Sequence, residues 1–135
     1  MYFTKIWLHL IWETPTPFPK AFKPIFYGYF RQYAYQNGIE LDILGGTNDH
    51  VHCLVQLNAL QHIHKTILKL KSELAEWINQ CHIVEHFEWD EAYFAVSVGE
   101  SQVEQIRNYI QNQENLHQKK TFEQEKAEII ERYGF

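Results

Sequence analysis

The sequence predicts an α+β domain of the ferredoxin-like kind: an antiparallel sheet with helices on one face, and additional C-terminal helices beyond it. Three observations lead there. Patterned segments follow one another as strand, helix, strand pair, helix, strand, the order of that architecture. The stretch GGTNDHVHCLVQL at residues 45–57 joins a turn cluster to an alternating strand, the mark of a hairpin. The chain has 135 residues, 45% hydrophobic and 16% aromatic, which is enough apolar material for one core and reads as a single domain over residues 1–135.

The first strand is expected over Phe3 to Trp12 (FTKIWLHLIW), rich in aromatic and β-branched residues. It is apolar on both faces, which means burial on both sides or pairing with another copy of the chain. His9 and Lys5 share a face with Phe3, Trp7 and Ile11. Pro15, Pro17 and Pro19 then impose a loop. A helix from about Lys20 to Gln36 ends at Asn37-Gly38, a good C-cap pair. Ile39 to Leu44 alternates as the second strand and turns through Gly45 to Asn48 into the third. Leu60 to Asn79 is predicted helical, with Leu60, Ile63, Ile67, Leu70, Leu74 and Ile78 as its core stripe and His62 and His64 as surface or capping residues. The fourth strand is expected at Ala92 to Val98, with Ser101 as N-cap of a helix from Gln102 to about His117. Thr121 and Gln124 form a capping-box pattern that opens a last amphipathic helix.

The apolar runs are too short to span a bilayer, and no secretory leader pattern is present, so the expected location is cytoplasmic. The formal charge of −5 weighs against a nucleic-acid partner. Its distribution weighs less: residues 59–71 carry Lys65, Lys69 and Lys71 and no acid, which leaves room for one basic face.

In the third strand, Val51, Cys53, Val55 and Leu57 fall on one face, and His50, His52, Leu54 and Gln56 on the other. Two imidazoles side by side on a rigid strand can converge on one divalent ion, although the same spacing serves two hydrogen-bonded core residues. Neither ring belongs to the apolar face, so the fold is expected to survive the loss of either. Far downstream, Tyr109 and Gln113 are four apart on a helix and share a face. A tyrosine beside a metal site is a candidate nucleophile, and a glutamine oxygen a candidate ligand.

The segments HLIW, GGTNDHVHCLV, KLKS (Lys69 to Ser72), FEWDEAYFAVSVG and YIQNQENLHQKKTFEQEKAEIIERYGF stand in an order that resembles the single-tyrosine transposases of small bacterial insertion sequences, members of the HUH endonuclease group. The branch associated with repetitive extragenic palindromes is especially similar. The resemblance implies that His50 and His52 bind a divalent metal, Mg²⁺ or Mn²⁺, with Gln113 completing the protein ligands, and that Tyr109 is the nucleophile. It implies cleavage of single-stranded DNA at hairpin-containing ends, through a 5′-phosphotyrosine with a free 3′-hydroxyl. It further implies a homodimer with active sites shared between chains. Lys65, Lys69, Lys71, Ser72 and Arg107 are the expected DNA contacts. Two neutral imidazoles and an amide would leave the ion's full charge to polarise a phosphate. Tyrosine, whose ordinary pKa is about 10, needs positive charge or a base to attack at neutral pH. The chain departs from the family in lacking a basic patch after the first strand, where Glu13-Thr14-Pro15 stands, and in having Leu116-His117 where relatives often have two histidines. Two rival readings are a non-catalytic dimeric nucleic-acid-binding module with structural histidines and a metal-dependent nuclease that uses water.

Overall fold

Aromatic and β-branched residues at Ile6–Glu13 form the first strand (β1) in a computed structural model that describes residues 1–135. A 3-10 turn at Lys20–Phe22 leads into helix α1 (Lys23–Gln36), and Pro24 in its first turn needs no backbone hydrogen there. The chain reverses at Gly38, whose φ of +68° is the left-handed value glycine takes without strain. Strands β2 (Glu40–Gly46) and β3 (His50–Leu57) form the hairpin, with Thr47 to Asp49 as its loop. Helix α2 covers Ile63–Gln80, and β4 is Phe94–Val98. After a second 3-10 turn come α3 (Val103–Gln111), the short α4 (Gln113–Leu116) and α5 (Phe122–Tyr133).

All strand pairs are antiparallel and the sheet order is β2-β3-β1-β4, the expected ferredoxin-like arrangement. Leu8, Leu10 and Trp12 of β1 lie beside Val55, Cys53 and Val51 of β3 on one face. There Phe26 and Phe30 of α1 and Ile67, Leu70, Leu74 and Ile78 of α2 complete the main core. The other face carries a smaller layer: Trp7, Ile43, Leu54 and Val98 under Val103 and Ile110 of α3, and Ile11 under Phe122 and Ile129 of α5.

Several expectations need correction. β1 is an interior strand, hydrogen-bonded to β3 on one side and β4 on the other, so its two apolar faces serve two layers of this chain. It offers no edge to a second copy. Leu60 is 86% exposed and lies before the helix, because the Asn58 side chain accepts from the Leu60 amide and holds a turn there. His62 agrees with its reading as a surface or capping residue: it is the N-cap of α2, accepting from the Lys65 amide at 3.4 Å. Ser101 caps nothing: it lies inside the 3-10 turn, and α3 starts without a side-chain cap. The expected single helix to His117 is broken at Asn112. Gly45 and Gly46 belong to β2, where Gly45 lets the backbone of α3 approach: a Cβ there would lie 2.2 Å from the Ile110 carbonyl oxygen. The capping box at Thr121 and Gln124 is present as read, and no helix is long and apolar enough to cross a membrane.

Candidate active site

The alternation that puts Val51, Cys53 and Val55 into the main core turns His50 and His52 toward the second layer. Neither is solvated: His50 is 2% and His52 0% exposed, so both belong to the packed interior. Phe122 stacks on His50 with ring centroids 4.1 Å apart. α3 runs back over its own hairpin through the Gly45 contact, anchored by Arg107, which makes a two-pronged bond to Asp42 of β2 at 2.7 Å on each arm. This puts Tyr109 against His52, with ring centroids 5.7 Å apart, and Gln113 into the interior. Tyr109 therefore lies over the histidines of its own chain.

Glu125 of α5 joins them, and sequence reasoning missed it. It is fully buried and divides its two oxygens between two sets of neighbours. Oε2 accepts from the Tyr109 hydroxyl and from Gln113 Nε2, the latter at 2.9 Å. Oε1 faces three imidazoles, with Nε2 of His117 at 2.9 Å, of His52 at 3.4 Å and of His50 at 3.6 Å. Gln113 Oε1 lies 2.8 Å from His50 Nε2 and 3.0 Å from His117 Nε2. The missed signal was an acid within an apolar stripe: Glu125 shares a helix face with Phe122 and Ile129. His9 is a second miss, a polar residue in an apolar strand, whose Nε2 lies 2.8 Å from His52 Nδ1.

Outer partners turn the rings inward. Asp49 Oδ1 lies 2.8 Å from His50 Nδ1, itself braced by the Thr47 hydroxyl, and the Lys120 carbonyl accepts from His117 Nδ1 at 2.9 Å. With the Nδ1 protons of His50 and His117 held outward, their Nε2 lone pairs point at the oxygens of Gln113 and Glu125, and His52 Nε2 faces Glu125 beside them. Acceptors that close together are satisfied by a cation. The donor set accordingly fits a metal: the ligating atoms of His50, His52 and Glu125 lie within 4.8 Å of one another, and the cluster can bind an ion. Glu125 also alters the expected electrostatics, since a carboxylate in the cluster offsets part of the ion's charge.

Burial lowers the His52 pKa, with Glu125 opposing, and His9 is held down to about 3 by burial and then by His52. Burial pushes the Glu125 carboxyl up, but hydrogen bonds from His52, Tyr109 and Gln113 outweigh it and hold the group well below the usual carboxylate range. Burial, and then the Glu125 carboxylate, push the Tyr109 phenol up. The tyrosine at rest is thus a neutral hydrogen-bond donor.

The residues expected to contact DNA are not gathered at this site. Lys65, Lys69, Lys71 and Ser72 are on α2, which covers the opposite face of the sheet. Lys69 bonds to Asn37 Oδ1 at 3.2 Å. Lys71 is buried, and its ammonium donates to the carbonyls of Asp90, Glu91 and Ala92 at 2.7–3.2 Å; it fastens the loop before β4. Arg107 is on the same side as the site but is taken up by Asp42 and Glu104. Beside the histidines, a polar cleft of about 430 Å³ is lined by Lys20, Lys23, Thr47, Asn48, His117 and Lys120, among others. Lys120, which pairs with Glu128 at 2.5 Å, also borders a second cleft, of about 520 Å³, which reaches Tyr109, Glu125, Glu128, Glu131 and Arg132.

A four-stranded antiparallel sheet with two histidines on its second face, and a tyrosine helix laid over them, defines an α+β protein of the tyrosine-transposase fold. Comparison with known proteins gives the same class. The family model described as "Transposase IS200 like" matches residues 2–113, and the chain belongs to that family. Among solved structures, the chain is similar to a Deinococcus radiodurans protein described as a transposase, with 28% identity, a TM-score of 0.65, and coverage of 83% of this chain and 93% of that one. It shares its fold with a tyrosine transposase associated with REP sequences, solved bound to a REP hairpin, at 10% identity and a TM-score of 0.65, over 87% of this chain and 72% of that one. A comparison with curated proteins found no match. The family match ends at Gln113, so Glu125 lies beyond it.

Proposed function

We propose that this transposase cuts and rejoins single-stranded DNA at hairpin-containing ends through a covalent 5′-phosphotyrosine on Tyr109, with a divalent ion, Mg²⁺ or Mn²⁺, held by His50, His52 and Glu125 together with Gln113. The observation that carries this reading is the convergence, within one chain, of a phenol, two strand-borne imidazoles, a buried amide and a buried carboxylate. The ion would supply a Lewis acid for the scissile phosphate oxygen. The chain's own residues do the positioning. Asp49 and Thr47 orient His50, His9 orients His52, and Glu125 turns the Gln113 amide so that its oxygen faces the imidazoles. Tyr109 attacks in line, and the phosphotyrosine keeps the energy of the phosphodiester for the rejoining step. The strand would enter by the lysine-bordered clefts on either side of Lys120.

The test is a denaturing gel of 3′-labelled single-stranded DNA, carrying the palindromes that flank the gene, incubated with protein and Mn²⁺. A protein–DNA adduct is expected, lost with excess chelator and with Tyr109→Phe. Equimolar His50→Ala protein added to Tyr109→Phe is expected to restore nothing, because each chain uses its own tyrosine. An adduct that survives in Tyr109→Phe refutes the nucleophile, cutting without an adduct points to water, and restoration by mixing points to sites shared in a homodimer.

A further inference from the structure

We propose that Glu125 is a catalytic residue, the base that takes the phenolic proton of Tyr109 during attack and gives a proton back to the tyrosine when the strands are rejoined. The inference rests on Tyr109 being the nucleophile. It starts from a shortage of alternatives. The Tyr109 hydroxyl has one hydrogen-bond partner, Glu125 Oε2. His9 and His52 approach the phenol ring edge-on, with centroids at 6.1 and 5.7 Å, and make no hydrogen bond to its oxygen. No lysine or arginine pairs with Glu125; the side chains that pair with it are the three imidazoles.

The carboxylate is built for two tasks. Its Oε1 points to the imidazoles, where the cation site is, and its Oε2 points to the phenol and the Gln113 amide. A carboxylate so divided can neighbour a cation through one oxygen while the other stays within proton range of the nucleophile. The Gln113 amide hydrogen on Oε2, at 2.9 Å, keeps that oxygen aimed at Tyr109.

The step balances without a co-reactant. As the Oη–P bond forms, the proton passes from Oη to Glu125 Oε2. As the P–O3′ bond breaks on the far side of phosphorus, the 3′-oxygen takes a proton from water and leaves as a hydroxyl, while Glu125 gives its proton up to water, so Glu125 ends as it began. Rejoining runs the same path backward: the 3′-hydroxyl yields its proton to water, and the tyrosine takes one from Glu125 on leaving.

The experiment compares the rate of adduct formation for wild type and Glu125→Gln, each with Tyr109 and with 3,5-difluorotyrosine incorporated at position 109, at saturating Mn²⁺. Circular dichroism and calorimetric Mn²⁺ titration verify fold and ion binding. Glu125→Gln with ordinary tyrosine is expected to lose about 10²- to 10⁴-fold in rate, the usual reach of acid–base catalysis. The fluorinated phenol ionises more readily and needs a base less, so it is expected to recover about tenfold or more in Glu125→Gln and little in wild type. A Glu125→Gln rate within a few-fold of wild type overturns the proposal. So does a large loss that fluorination leaves untouched, which assigns Glu125 to ion binding or packing instead. Absence of any adduct in the wild type is a different failure, that of the transposition reading itself.

Discussion

His52 shows how burial changes what a residue is for. On the strand it reads as a removable ligand; in the structure it is enclosed, with His9 on one ring nitrogen and Glu125 beyond the other. His52→Ala is therefore expected to do two things at once. Mn²⁺ binding, followed by calorimetry, should be lost. Stability, followed by urea unfolding, should fall by about 1–3 kcal/mol, because Glu125 and His9 are left buried without that partner. Unchanged Mn²⁺ affinity in this variant removes His52 from the ion site. Period-two alternation sufficed to place His50 and His52 on one face, and four-residue spacing sufficed for Tyr109 and Gln113. Glu125 and His9 escaped because their roles depend on which element lies opposite, and register across β1 and β3 is a long-range fact that local patterning does not contain.

Among the elements, α3 is the one whose seat decides the chemistry. It rests on β2 where Gly45 has no side chain, and Arg107 ties it to Asp42. Gly45→Ala forces a methyl group into the Ile110 backbone, a clash no rotamer change relieves. The variant is expected to lose about 1–3 kcal/mol in urea unfolding, with adduct formation falling further than stability accounts for as α3 tilts away. Wild-type stability in this variant would show that the helix has slack. Element type was legible almost throughout, since each segment's period agreed with its place in the fold. Boundaries were less so: the Asn58 turn displaced the start of α2, and glycines read as loop proved to be strand because a helix crosses them.

For the molecule as a whole, the sheet divides two surfaces. The α2 lysines stand on one, the site and its clefts on the other. If the strand follows the clefts, Lys20→Ala and Lys120→Ala should each reduce the dependence of log affinity on log salt by about 0.7, the value for one phosphate contact on a single strand. Lys65→Ala and Lys69→Ala should leave it unchanged. Fluorescence anisotropy over a salt series distinguishes the two, and the reverse result makes α2 the DNA platform. The net charge of −5 gave no guide here, because what matters is which face a lysine occupies.

The interior position of β1 also bears on how the chain is made. Trp7 finds one neighbour at Gln56 and the other at Val98, so the strand emerges first and is enclosed late. At ribosomal speeds of about 5–20 residues per second, roughly 4 to 17 s separate the synthesis of β1 from that of β4. Through that interval an aromatic ribbon has one side unpaired, and later one face uncovered. Newly made chains pass through a period when their stickiest segment is their least protected, and crowding on a polysome sharpens the hazard. Slower growth temperatures or a holding chaperone should therefore change the yield of this protein more than they change the stability of what has folded.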